Sequence, residues 1–489
     1  MRIKEINIKD FRCFKQFTCK FAPGVNILIG RNGSGKTALI HALHKAVSFV
    51  FSNDRSLGKE FLSQGNNTLN VRGFKEPDYR FDTDLREPAQ DSSISATAVY
   101  NNKELAWRLY RRNQTNAALY QSYYKNAFAT FMNEWKVEGA PLPLLAYYSD
   151  SYPHKYVKTV KYALDIVNNG VMPRNFGYYQ WDDEASCTSI WETRMCNCLN
   201  KVQPYYTMMG RVASELKQLE ETNVAESLKE NAEYQQLIEE RERISNISSA
   251  PFEEMEYVER QLKSFVKLLP GIKEQQREID FFAPEQTEDG FQLVLHFKNG
   301  NSSLLQDLPA GYRRLYSIVF DIAYRSYILN GDAEPAGIVI IDEIDLHLHP
   351  SLEQAVVECF AKTFPKVQFI ISTHSAAVIS NLDTVSTTED EKGNQVAVNQ
   401  ILAMREGCAE ADVLPSIYGL DYSDALRDFM DTPSRNTELK VLEDLYLTYL
   451  GHRMSNEAET VYRKIIEFVG EDSRTLQRLQ EKAAQYEVH

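Results

Sequence analysis

The chain has 489 residues, of which 43% are apolar and 25% charged, and a formal net charge of −14. It is long enough for more than one core, and no stretch approaches ~18 consecutive apolar residues, so a spanning helix and a membrane partner are excluded. An acidic chain does not bind DNA over its whole surface; a nucleic-acid contact needs a local patch or belongs to a partner.

Seven scattered cysteines argue against a disulfide framework. Met1 to Ile6 alternates charged and apolar residues and lacks the apolar centre of a signal peptide, so a cytoplasmic location is expected. Arg2 to Ile8 has the alternation of a half-buried strand. Asp10 to Phe14 turns it into a second strand, Phe17 to Phe21, and Pro23-Gly24 leads into the apolar run Val25 to Ile29. Gly30 to Thr37 follows, reading GRNGSGKT, and a helix then runs to about Phe51 with Ile40, Leu43, Val47 and Val50 on one face. Strand, G-x-x-x-x-G-K-[ST] loop and helix in that order make a P-loop. The glycines let the backbone N–H groups of Asn32, Gly33, Ser34 and Gly35 curl around a phosphate. Lys36 then neutralises the β- and γ-phosphates, and Thr37 offers its hydroxyl to Mg²⁺.

Residues 52–90 are polar and loop-like, and Asp82-Thr83-Asp84 within them reads as a solvated loop rather than a metal site. Ile94 to Tyr100 and Leu105 to Tyr110 form a hairpin through Asn101-Asn102-Lys103. Leu144 to Tyr148 is a short strand of the same lobe. From about Val157 to Leu269 the pattern is helical. Glu215–Glu221 and Tyr234–Arg243 are dense in charge, as suits an exposed helical hairpin or short coiled coil. Cys187, Cys196 and Cys198 lie close together, but nothing completes four metal ligands, and reduced buried thiols are expected. Ser249-Ala250-Pro251 breaks this segment. Strands return at Ile279–Phe282 and Phe291–Phe297, the second turning at Asn299-Gly300-Asn301.

Leu308 to Arg314 opens a helix through Ile318, Phe320 and Ala323. Gly337 to Ile341 is apolar and ends in Asp342-Glu343. It is expected to lie beside the P-loop strand, with Asp342 holding Mg²⁺ and Glu343 orienting and deprotonating the attacking water. Phe369 to Ser372 is another apolar strand, followed by Thr373-His374-Ser375. Beyond it, helices are expected at Asn436–Tyr449, Ser455–Val469 and Asp472–Tyr486. Leu439, Leu442, Tyr446 and Tyr449 make one apolar stripe, and Val461, Ile465 and Phe468 another. Packing on the ATPase lobe and docking of a partner are both open for these helices.

Phe11-Arg12, the GRNGSGKT loop, the helical insertion, the degraded Leu308–Arg314 motif, Ile341 to Pro350 and Ser372 to Ser375 come in one order. Together they resemble the SMC/RecF branch of ABC ATPases, in particular the OLD-like ATPases of bacterial defence systems. Within these the chain is similar to the ATPase subunits of Septu-type anti-phage systems, including those attached to retrons. The resemblance covers residues 1–50 and 290–380 well, and the insertion only in kind.

It implies an α/β fold: a two-lobed ABC-type P-loop ATPase head with an inserted helical or coiled-coil arm and a helical C-terminal extension. The corresponding boundaries are 1–156 for the N-lobe, 157–272 for the insertion, 273–407 for the C-lobe and 408–489 for the extension. It also implies ATP as substrate, His374 as a switch histidine contacting the γ-phosphate, and a head-to-tail dimer sandwiching two ATPs. In that dimer the Gly311 region of one chain completes the site built on Lys36 of the other. The family's signature serine is replaced by Pro309 or Ala310, which leaves the N–H groups of a helix N-terminus. Arg313 or Arg314 either supplements them or is an ordinary exposed helix arginine. No counterpart of the Q-loop glutamine stands out.

OLD-family nucleases continue into a TOPRIM domain, and no Glu with a D-x-D follows Met404. Any nuclease is therefore expected to be a separate protein, and the Septu-type resemblance implies that it is an HNH endonuclease regulated by this ATPase. A retron reverse transcriptase and its msDNA are further expected partners, and nucleic acid is reached through the complex. Two alternatives stay open. A RecF/SMC-like DNA-repair or DNA-tethering ATPase is opposed by the acidic balance and the short arm. A transporter nucleotide-binding subunit is opposed by the helical insertion.

Overall fold

Val25–Ile29 (β3) is buried at every position, and a run apolar on both faces belongs inside a sheet covered on both sides. In the computed structural model it is the centre of a six-stranded sheet. Residues 1–52, 69–82, 86–114, 117–153, 161–168, 172–181, 188–222, 231–245, 250–274, 276–287, 290–391, 393–429, 437–470 and 473–487 are described. Gln400–Ala403 lies on one side of β3 and Lys366–Ser372 on the other; Ala336–Ile341 and then Leu144–Tyr148 follow, all parallel. Asp412–Val413 adds an antiparallel edge.

The strand ending in Asp342 is thus not the neighbour of the P-loop strand. Lys366–Ser372 stands between them, because the helix Pro350–Thr363 returns the chain into that slot as a parallel crossover. Leu144–Tyr148 is likewise the edge of this parallel sheet, while the neighbouring hairpin belongs to another sheet. The register pairs Ile341 with Ile371 and Ser372 with Leu28, so the P-loop, Asp342 and His374 all emerge at one carboxyl edge. That edge is where open α/β sheets hold ligands.

A second, antiparallel sheet has Arg2–Phe11 (β1) flanked by Phe14–Lys20 (β2) and Asp91–Tyr100 (β4), with Lys103–Arg112 (β5) outermost. Asn101 and Asn102 turn the β4–β5 hairpin at φ 49° and 60°, the left-handed pair that such a turn needs. Between the two sheets runs the P-loop helix Lys36–Val47 (α1), and Trp107 of β5 donates its indole N–H to Ala46 O at 2.9 Å.

A buried amide joins the sheets directly. Gln368 Oε1 accepts from Ile3 N, and its Nε2 donates to Ile3 O and Ala22 O, each at 2.8 Å. The side chain stands in for a missing strand at the root of β1.

Ile279–Thr287, Gly290–Phe297 and Ser302–Leu304 form a separate three-stranded antiparallel sheet. The insertion is helical: Lys161–Asn168 (α2), Thr188–Thr222 (α3), Ala232–Ser245 (α4) and Ala250–Leu268 (α5). Its 35-residue helix α3 has two environments. Trp191, Met195, Cys196 and Cys198 are buried in the head, the two cysteines as free thiols. Beyond Pro204, Val212 and Leu216 pack with Leu237 and Ile244 of α4 in a small hairpin core, with Met209, Leu219, Tyr234 and Ile238 against it. Cys187 and Asp84 lie outside the described residues.

Residues 420–489 form a second compact unit. Its helices Thr437–Gly451 and Ser455–Val469 bring the two stripes together, with Leu439, Leu442, Tyr446 and Tyr449 around Val461 and Ile465. Phe468 does not join them; it is 51% exposed. Among the described residues no helix is long and apolar enough to cross a membrane.

Gln368→Leu removes the side-chain partner of both backbone groups of Ile3, while Ala22 O keeps Asn26 Nδ2 at 3.0 Å, and a loss of roughly 2 kcal/mol is expected in urea unfolding. Unchanged stability would show that β1 does not depend on this amide.

A candidate nucleotide site at the carboxyl edge of the sheet

The loop after β3 is shaped by contacts a side chain would destroy. Gly35 has φ 99°, and a Cβ there would stand 2.6 Å from Cζ of Phe14, so the β1–β2 turn packs directly on the P-loop. Asn32 and Gly33 are exposed at its tip, Thr37 is exposed at the helix start, and Ser34 is buried. The Ser34 hydroxyl has no hydrogen-bond partner. A buried orphan hydroxyl inside a ring of backbone N–H groups fits an anionic ligand that supplies the missing acceptor.

Lys36 is only 8% exposed, and its ammonium folds back onto Gly30 O at 2.6 Å and Arg31 O at 3.2 Å. Burial pulls it below its ordinary value, against the opposing pull of Asp342, Glu343 and Asp345. A phosphate would replace those two carbonyls with a full negative charge.

Asp342 is 7% exposed, and its carboxylate accepts from the Ser372 hydroxyl. Burial raises it above the usual carboxylate value, with Asp150 adding to the rise and Ser372 and Lys36 opposing it. Ser372 Oγ also accepts from Glu343 N at 2.8 Å, which locks the ends of two neighbouring strands together. Glu343 adopts φ 50° and is half-buried. Next along the chain, Asp345 Oδ1 accepts from Thr373 Oγ1 at 2.6 Å and from His374 N at 3.3 Å. The exposed His374 is therefore positioned through its backbone.

Thr37 and Asp342 are the residues that would hold Mg²⁺. The donor set suits it, since this cation takes one or two protein oxygens and completes its shell with phosphates and water. Among the described residues, no cluster of His, Cys, Asp or Glu holds a metal by itself.

Ser372, Asp345 and Asp150 were not singled out in the sequence. The first two stand inside the quoted motifs, so their signal was a polar residue next to a catalytic one. Asp150 follows the edge strand Leu144–Tyr148, which pairs with the Asp342 strand, and Asp342 N donates to Tyr148 O at 2.8 Å. Ser149-Asp150 therefore occupies the strand end where a Q-loop would begin, without a glutamine.

Arg314 is neither a phosphate ligand nor an exposed helix arginine. It is 2% exposed on the helix Ala310–Asn330 (α6). Its guanidinium donates to the carbonyls of Asp150 (2.8 Å), Tyr152 (2.9 Å), Ser149 (3.1 Å), Asp342 (2.8 Å) and Glu343 (3.4 Å). Arg313 donates to Gln306 O at 3.0 Å. Gly311 is buried at the start of α6, where a Cβ would stand 2.6 Å from His347 O. It thus seats the helix on the loop that follows Glu343 in its own chain. Pro309 gives that helix start no side-chain cap.

The family profile described as RecF/RecN/SMC N terminal domain matches residues 2–396. A retron Vc95 probable ATPase of Vibrio cholerae serotype O1 biovar El Tor is 26% identical over 404 residues, covering 78% of this chain and 72% of that protein. A retron Ec83 probable ATPase of Escherichia coli is 24% identical over 413 residues, covering 78% and 70%. A Septu protein PtuA of Bacillus mycoides (strain KBAB4) is 32% identical over 173 residues, or 32% of this chain and 24% of that one. Among solved structures, an Smc head domain with an extended coiled coil, derived from Pyrococcus furiosus, aligns at TM-score 0.40 and 15% identity. That alignment covers 84% of this chain and 96% of that one.

Replacing Arg314 by Met removes the donors of several buried carbonyls, and a destabilisation of about 3 kcal/mol or more is expected. Arg313→Met, one residue away, serves as the control and should shift the urea midpoint little. Equal effects would mean that Arg314 does not organise the strand ends.

Proposed function

The chain belongs to the RecF/RecN/SMC N terminal domain family, and on that footing we propose that it is the ATP-hydrolysing subunit of a bacterial anti-phage complex. The observation that carries the ATPase part is the arrival of the P-loop, Asp342, Glu343 and His374 at one sheet edge, where a buried serine hydroxyl stands in the loop and the lysine ammonium folds onto two of its carbonyls. The defence setting is supported by the relatives named for retrons and for Septu.

In this reading the N–H groups of Asn32 to Gly35 hold the phosphates of ATP. Lys36 leaves Gly30 O and Arg31 O to balance charge on the transferred phosphoryl group. Thr37 and Asp342 would hold Mg²⁺, which would supply positive charge against the phosphates. Glu343 takes the proton of the attacking water, and His374 donates a hydrogen bond to a γ-phosphate oxygen. A second copy of the chain, head to tail, contributes the N-terminus of α6 at Gly311, where the uncapped backbone N–H groups suit a phosphate. Hydrolysis then resets a dimer.

The Septu-type resemblance implies that the dimer's nucleotide state regulates a separate HNH nuclease, with a retron reverse transcriptase and msDNA in the same assembly. Nucleic acid is then reached through the complex, as the net charge of −14 also favours.

Lys36→Ala is expected to abolish ATP binding by calorimetry and protection in a phage plaque assay; a variant that still protects would make the site vestigial. Glu343→Gln should keep ATP binding, lower turnover about a hundredfold or more, and accumulate a dimer in light scattering. Unchanged turnover removes Glu343 as the base. Salt-sensitive binding of bare DNA by the purified chain would instead favour direct action on DNA.

A further inference from the structure

A cavity of about 240 Å³ opens beside the first two turns of α6. Its walls are the segment after α5, the turn between the last two strands of the three-stranded sheet, and the start of α6 itself. Among the described residues that line it there is no P-loop residue, nor Asp342, Glu343 or His374.

The polar groups facing this space are mostly donors. Arg277 is the one charged side chain among the described lining residues, and its guanidinium has neither an ion pair nor a hydrogen bond among them. Tyr316 is 2% exposed, yet its hydroxyl has no hydrogen-bond partner among the described residues. Burial first, then Tyr312, pushes that phenol well above its ordinary value, with Arg277 opposing the rise. The hydroxyl therefore stays protonated as a donor, and the guanidinium stands within its electrostatic reach. Asn299 spends its carbonyl oxygen on Asn301 N at 3.0 Å and keeps its amide NH₂ as a further donor. Such a wall suits a ligand that brings the acceptor.

The rest of the surface is apolar and aromatic. Phe297 lines it together with the edge-to-face pair Tyr312 and Tyr316, whose ring centroids are 5.9 Å apart. One guanidinium balances one negative charge. A phosphate monoester brings about −1.5 to −2 at pH 7, into a chain whose net charge is already −14. The volume lies below the roughly 300 Å³ at which drug-sized sites begin, so the ligand is small. Tyr312 follows Gly311 directly, which sets the ligand against the turn of α6 that carries that glycine.

We propose that this cavity binds a small aromatic monocarboxylate, with its carboxylate on Arg277 and the Tyr316 hydroxyl and its ring against Phe297 and Tyr312. The proposal does not rest on ATP hydrolysis.

The test uses the full chain in the Lys36→Ala background, which removes the P-loop cation. Phenylacetate and indole-3-acetate are titrated by calorimetry, beside phenylacetamide as the uncharged match and phenyl phosphate as the competing anion. At least one acid is expected to bind, with phenylacetamide weaker by about tenfold or more. Arg277→Gln and Tyr316→Phe should each weaken that acid by about fivefold or more. Arg277 is exposed, and Tyr316→Phe keeps the ring and removes only the hydroxyl, so both variants should melt like their parent. If the buried position does shift the melting temperature, Arg277→Gln decides alone. The proposal is overturned if neither acid binds, if the amide binds as well as the acid, or if Arg277→Gln binds like its parent. Tighter binding of phenyl phosphate overturns the assignment to a carboxylate.

Discussion

Arg314 is the point on which the catalytic edge depends. A buried guanidinium needs acceptors, and here both Nη groups find them in backbone carbonyls from the ends of two adjacent strands. Because those carbonyls belong to Ser149, Asp150, Tyr152, Asp342 and Glu343, satisfying one side chain fixes the geometry of both strand ends. Ser372 makes the matching connection on the other flank of Asp342. The acids of the site are therefore placed by groups that have no direct chemistry to perform.

The P-loop, Asp342-Glu343 and His374 were legible because each follows an apolar run that could only be a buried strand, and the six-stranded sheet contains all three. What pattern could not supply was strand order. Nothing in Gly337–Ile341 says that Lys366–Ser372 will enter between it and Val25–Ile29, since both runs are equally apolar. Arg314 misled for a related reason. At the start of a helix an arginine reads as solvated or phosphate-facing, and only the loop after Tyr148, more than a hundred and fifty residues away, turns it inward. Phe468 continued a helical stripe but stays exposed, while its neighbour Val469 takes the place against Val461 and Ile465 at the end of the helix. The cavity beside α6 left no motif, because Arg277, Asn299 and Tyr316 come from three separate segments.

Charge in this molecule is arranged by locality. The chain is acidic overall, yet two concave sites present mainly donors: the P-loop and the cavity beside α6. The first is framed by the β1–β2 turn, whose Phe14 touches Gly35. The antiparallel sheet thereby serves as a wall for the P-loop, held to the central sheet by the amide of Gln368.

Helix α3 joins two regions with different freedom. Its root is fastened through Trp191, whose indole N–H reaches Asp321 Oδ1 at 2.5 Å; the other oxygen of that buried carboxylate is shared by Tyr148 and Arg325. Arg194 and Glu254 add a buried two-pronged ion pair beside it. Past Pro204, Tyr205 and Tyr206 still meet Phe252 of α5, and farther out Val212 and Leu216 pack against α4. Over its 35 residues it is about 50 Å long. It is a crowbar with its short end wedged one side chain away from the strand that carries Asp150. Any tilt of the arm about its root would therefore be felt first at Asp321, the carboxylate that Trp191 shares with Tyr148.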